Sequence, residues 1–188
     1  MPVPFQDAED LEALGTAGFL TVEASGGDGA NAAATGYRGA LFLINARGEP
    51  LEFAYNRIEL PETSLWRRID LRRYAERTLA TSLFSVCART PRLLLCLAEA
   101  VGSELFCQDL RVELPVGRIS RAMEAASYAA GEVEEAIEQP EPLHLFWFPA
   151  PPAPESVERR LFERLRASGL LLEPFNRAAT GLREVYDQ

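Results

Sequence analysis

Residues 64–84 read SLWRRIDLRRYAERTLATSLF, with five arginines (Arg67, Arg68, Arg72, Arg73 and Arg77) inside eleven residues. A guanidinium is a planar fork that grips a carboxylate or a phosphate through two parallel hydrogen bonds, so such a cluster is a candidate docking face for an acidic partner. The competing reading is a solvated helix face on which Asp70 and Glu76 neutralise some of the arginines. Little other chemistry is on offer. All nineteen basic residues are arginine, and without lysine there is no Schiff base, no pyridoxal-phosphate attachment and no G-x-x-x-x-G-K-[ST] phosphate loop. His144 is the only imidazole; it sits in the apolar run LHLFWF, and no G-x-S-x-G nucleophile elbow accompanies it. Cys87, Cys96 and Cys107 lack C-x-x-C spacing and lie among apolar residues, which predicts small core hydrophobes and neither zinc nor disulfides. GDGANA, residues 27–32, has the outline of a dinucleotide-binding turn. Gly36 and the strand after it leave no room for the helix whose N-terminus would hold a pyrophosphate. No cofactor and no metal is expected.

The balance of 28 acidic to 19 basic residues, a net charge of −9, argues against a general nucleic-acid coat, which needs clustered cations to displace counterions. Nucleic acid is therefore expected only through the local arginine patch. An apolar fraction of 47% with 25% charged residues is that of a folded globular chain. No apolar run approaches the ~20 residues of a membrane span, and MPVPFQDAED has neither the basic start nor the apolar core of a signal peptide. These features predict a cytoplasmic protein without a membrane contact.

Positioning the arginines requires an α+β scaffold. A short helix is predicted over residues 6–14 and a strand at FLTVEA (19–24), followed by the Gly/Ala loop SGGDGANAAATG. ALFLIN (40–45) and LEFAYNRI (51–58), joined by ARGEP, form the clearest hairpin. Alternation places Leu51, Phe53 and Tyr55 on one face of it and Glu52 and Asn56 on the other. Leu71, Ala75, Leu79, Leu83 and Val86 recur at helical spacing, predicting a helix over 64–88 capped by Thr63 or Ser64. LLLCLA (93–98), apolar at every position, reads as a central strand covered on both faces. A helical turn (103–109) and a strand at RVELPV (111–116) follow. The acidic run with Glu132, Glu134, Glu135, Glu138 and Glu141 reads as the exterior of a helix or loop. LHLFWF (143–148) is a strand, PAPPAP a stiff linker, and two helices end the chain, the first stopped by Gly169 and the second opened by Pro174. The division expected is a core domain over 1–149, a mixed sheet with an N-terminal antiparallel hairpin and then alternating helices and strands, and a C-terminal helical appendage over 150–188 packed on it.

Three antiparallel strands followed by alternating helices and strands resemble the RNase H-like arrangement. The resemblance covers the order of elements over residues 19–119 and no specific motif. In that superfamily a carboxylate on the first strand and another at the end of the fourth hold two divalent ions for phosphodiester cleavage. The resemblance therefore implies Glu23 and Glu99, with Asp109 or Asp70 completing the set, for an active nuclease or a degenerate nucleic-acid-binding relative. Two-metal chemistry needs several oxygen ligands around ions ~4 Å apart, and two acids alone are too few. The preferred expectation is a non-catalytic accessory or assembly subunit in a cytoplasmic complex, bound to a protein partner. Its expected contacts are Arg67, Arg68, Arg73 and Arg77 on the basic helix and Leu161, Leu165, Phe175 and Leu182 on the C-terminal helices.

Overall fold

The computed structural model describes residues 2–26, 35–61, 63–121 and 131–187. GDGANA (27–32) and the rest of the Gly/Ala loop to residue 34, and the small-residue stretch 122–130, lie outside the described residues. The chain is organised around a mixed seven-stranded sheet in the order β3-β2-β1-β4-β5-β7-β6. Its strands are β1 Thr16–Ser25, β2 Gly36–Asn45, β3 Pro50–Glu59, β4 Leu93–Leu97, β5 Val116–Ser120, β6 Val133–Ile137 and β7 Leu143–Phe148. The first three are antiparallel in turn, β4 and β5 run parallel to β1, β7 runs antiparallel to β5, and β6 runs antiparallel to β7. This is an α+β fold with the expected N-terminal antiparallel hairpin, β1–β2.

Helix α1 (Arg68–Val86) covers one face, and α2 (Val157–Ala167) and α3 (Glu173–Tyr186) cover the other. LLLCLA is the central strand between them. Leu93 and Leu95 enter the cluster beneath α2 and α3, while Leu94 and Cys96 enter the one beneath α1. The period-two alternation of a strand feeds both cores from one apolar run. The C-terminal helices are thus a full layer of the protein: Leu161, Phe162, Leu165, Phe175 and Ala178 share one buried cluster with Phe19, Phe42, Leu95 and Trp147. Ser156 caps α2 by accepting a hydrogen bond from Arg159 N at 3.1 Å. Gly169, at φ 70°, ends it, and Leu170 N returns to the Leu165 carbonyl at 2.8 Å. Pro174 opens α3.

Other expectations need correction. The opening helix is a single 3-10 turn, Glu12–Leu14. Helix α1 begins at Arg68 after a separate 3-10 turn, Thr63–Leu65, and Arg67 rather than Thr63 or Ser64 is the N-cap. Val86 is 63% exposed, so the buried stripe of α1 ends at Leu83. Leu51 packs on the α1 side, opposite Phe53, because the β2–β3 register shifts at Leu43/Ile44 and interrupts the alternation. β5 starts at Val116, five residues later than RVELPV suggests. The acidic run contains an edge strand, β6.

Candidate partner-binding face

The three carboxylates of the nuclease reading divide between the two faces. Glu23 shares the α3 side with Phe19, two pleats away, and accepts from Arg38 Nε. Arg38 also forks onto Asp187, just past α3, at 2.6 and 3.1 Å, holding that carboxyl below its usual range. Glu99 follows β4 and lines a small cleft of about 120 Å³ with Leu97, Ile119, Arg121, Leu172, Phe175 and Asn176. The β1–β4 ladder ends at the pair Leu20–Cys96; Glu23 is still in β1, whereas Glu99 lies in the turn after β4, so both stand near the carboxyl ends of adjacent parallel strands. Asp109 lies across the sheet. It ends the π-helical turn Leu105–Asp109 and takes a fork from Arg73 of α1 at 2.7 and 3.2 Å. Among the described residues no three His, Cys, Asp or Glu side chains converge on a metal position. Asp70 does not join Glu23 and Glu99 either, being bound by Arg67 at 2.6 and 3.0 Å.

The arginines of α1 separate into two groups. Arg67 pairs with Asp70, Arg72 with Glu76 and Arg73 with Asp109, so the sequence reading in which Asp70 and Glu76 neutralise part of the cluster accounts for two of these. Arg68 and Arg77 are exposed and form no ion pair among the described residues. Arg77 joins Trp66, Asp70, Arg73, Tyr74 and Asp109 around an open cleft of about 220 Å³, in which the Trp66 and Tyr74 rings meet at 5.5 Å. Beside it, Leu65 is 95% exposed, Trp66 41% and Ile69 55%. These three apolar residues escaped the sequence reading although a signal was present. Ile69 stands about 200° around the helix from Leu71, at 100° per residue, and so lies off the stripe that enters the core.

The apolar half of the expected partner surface is corrected. Leu161, Leu165, Phe175 and Leu182 are all buried, the first three among the strands. The amphipathic stripe of each C-terminal helix is satisfied by the protein's own sheet and is not available to another molecule.

Two buried polar centres also went unforeseen. Glu76 is 2% exposed; it accepts from Arg72 Nε at 2.7 Å and from Gly102 N at 3.1 Å, tying α1 to the turn after β4. Burial pushes its carboxyl above the usual range. On β5, Arg118 forks onto Glu132 at 2.6 and 3.0 Å and donates to the Val101 carbonyl at 3.1 Å. His144 lies 3.1 Å from Glu134, a satisfied histidine as its surroundings suggested. Glu135, also in β6, takes a fork from Arg159 and a 2.7 Å bond from Trp147 Nε1, with Arg159 foremost in holding it below the ordinary carboxylate range.

No protein-family model matches the sequence, and no curated protein matches it. Part of the chain is similar to the crystal structure of Endonuclease V from Bacillus subtilis, at 11% identity and a TM-score of 0.44, over 72% of this chain and 66% of that one. A second likeness is to Marinitoga piezophila Argonaute in complex with guide RNA and target DNA, at 10% identity and a TM-score of 0.36, over 81% of this chain and 25% of that one. The chain thus spans just under two thirds of the first protein and a quarter of the second.

Proposed function

We propose that the protein is a non-catalytic accessory or assembly subunit in a cytoplasmic complex, and that it binds a protein partner through the start of α1. The observation that carries this reading is the exposed set Leu65, Trp66 and Ile69 beside Arg68 and Arg77, which form no ion pair among the described residues. Exposed tryptophan flanked by arginine is the composition of interface hot spots, where an aromatic anchor excludes water around charge-assisted hydrogen bonds. A partner segment with carboxylates among apolar residues matches it. On this face only Arg68 and Arg77 are without an ion pair among the described residues, and on a chain of net charge −9 that suits a protein better than a nucleic-acid backbone, for which a binder making about 6–10 phosphate contacts is typical. No helix among the described residues is long and apolar enough to cross a membrane.

The test is co-purification of the native protein with its partner. Trp66→Ala should weaken the complex by roughly 30-fold or more, the effect of a hot-spot residue worth about 2 kcal/mol. Reversing Arg68 and Arg77 to glutamate should also abolish co-purification, with stability changed by no more than about 0.5 kcal/mol per site, as for exposed positions. Retention of the partner by both variants would remove α1 as the interface.

The position of Glu23 and Glu99 near the carboxyl ends of neighbouring parallel strands favours a second reading, a divalent-metal-dependent nuclease. It is weakened by the ion pair that occupies Glu23 and by the position of Asp109 beyond the sheet. The expected result is no manganese-dependent nicking of DNA or RNA, and unchanged partner binding in Glu23→Gln and Glu99→Gln. Nicking by the wild type that disappears in both variants would reverse the ranking.

A further inference from the structure

Strand direction brings two oppositely charged surfaces to one end of the sheet. β1, β3, β4 and β5 all run toward that end, so α1, which follows β3, starts there. β7 runs the other way and β6 runs with β5, which puts the β6–β7 turn, residues 138–142, at the same end. The β6–β7 turn lies at an edge of the sheet, whereas the start of α1 is tied nearer the centre, where Arg72 donates to the Glu99 carbonyl and Arg73 pairs with Asp109.

The turn reads EQPEP and is exposed at all five positions. Glu138 and Glu141 form no ion pair among the described residues; the nearby Arg166 donates to the Glu138 carbonyl and gives its charge to Glu163. Pro140 and Pro142 restrict the backbone, so little conformational entropy is lost on docking. At the start of α1, Arg68 forms no ion pair among the described residues, and Arg67 keeps 80% of its side chain exposed while sharing Asp70. The basic helix and the acidic run, which the composition of the chain already sets apart, are therefore presented at the same end of the sheet.

We propose that the partner seated on the start of α1 is a second copy of this chain, in a two-fold dimer where the α1 start of each protomer meets the β6–β7 turn of the other. This rests on the reading of α1 as a docking face and names its occupant. A two-fold axis between the two patches makes both contacts at once, because a surface carrying a basic patch and an acidic patch is complementary to itself after a half-turn. Leu65, Trp66 and Ile69 supply apolar area against the two proline rings. Two chains of net charge −9 repel one another broadly, and the repulsion is least where arginine faces glutamate.

Sedimentation velocity of the full chain over a concentration series tests the proposal. The wild type should form a dimer. Arg67→Glu with Arg68→Glu should weaken it by about 100-fold or more, since like charges placed opposite one another cost several kcal/mol, and Glu138→Arg with Glu141→Arg should do the same. Thermal melts of both variants check that the fold is intact. Mixing the two variants should restore a dimer of one copy of each, because both contacts again pair opposite charges. A monomeric wild type, an unchanged dimer in either variant, or a mixture that stays monomeric would overturn the proposal. A monomeric wild type that still loses a co-purifying protein when Trp66 is replaced would sink the dimer and leave the docking face standing.

Discussion

Leu95→Ala is expected to destabilise the protein by about 2–5 kcal/mol, the range for truncating a fully buried leucine. Leu95 is 0% exposed and lies at the middle of the sheet, level with Phe19 on β1 and Gly117 on β5. Gly117 decides which end of the range applies. A methyl group on it would come within 2.9 Å of Leu95 Cδ2 and 3.0 Å of Trp147 Cζ3, so the leucine and the indole already fill the space a side chain there would take. Removing the isopropyl group opens a hole bordered by a glycine with nothing to offer and by Trp147, which Glu135 holds by its Nε1. Collapse into that hole is impeded, and the effect should fall in the upper half of the range. Chemical denaturation measures it directly, and a melting-temperature loss of roughly 2–4 °C per kcal/mol accompanies it in a chain of this size. Hydrogen exchange gives an independent check: the amides of Leu94 and Leu95 should open only with global unfolding, because both faces of β4 are covered. A loss below about 1 kcal/mol, or fast exchange at either amide, would show that the stability of the fold lies elsewhere.

β4 is also the element that the sequence displays most openly. An uninterrupted apolar run of five or six residues between turn signals has few uses other than a strand covered twice, so LLLCLA reveals its position in the sheet as well as its type. The terminal helices are legible for a different reason: Gly169 and Pro174 punctuate them with backbone requirements that hold in any context. What the helices cover was not legible. A stripe such as Leu161 and Leu165 must be buried, but its spacing is the same whether the partner is the protein's own sheet or another molecule. β5 was misplaced because Val112 and Leu114 do pack against the α1-side cluster, from an extended segment outside the ladder. Pro115 can offer the ladder only its carbonyl, which Leu94 N takes at 3.1 Å, and pairing proper begins at Val116. β6 was hidden by its glutamates. It is an edge strand joined to the rest by β7 and by cations far along the chain, Arg118 and Arg159, and no local pattern announces such partners. The docking face was half legible: the arginines stand out by composition, whereas the arginines left unpaired could be found only after Asp109 was seen to take Arg73.

Glu132→Gln should cost about 3–5 kcal/mol, as expected when one member of a buried ion pair is neutralised and the other is left charged. The side chains of Arg118 and Glu132 are 3% and 1% exposed, so water cannot take over the lost partner's role. The guanidinium sits over the Phe146 ring, 5.7 Å from its centroid, a contact too weak to replace a carboxylate fork. Added salt should not moderate the effect, because mobile ions screen exposed charges and do not reach this pair. A surface pair such as Arg67–Asp70 behaves oppositely, with about 0–1 kcal/mol at stake and most of that lost in salt. The companion experiment replaces both residues, Arg118→Met with Glu132→Leu. Burying two charges is itself costly, so an apolar pair of similar volume should recover most of the loss. Recovery should stop short of completion because the Val101 carbonyl loses its 3.1 Å donor, and an unsatisfied buried acceptor costs about 1–3 kcal/mol. A double-mutant cycle then reports a large favourable coupling between the two positions. If Glu132→Gln stays within about 1 kcal/mol of the wild type, the pair is open to solvent in solution and contributes little to holding β6 on the sheet.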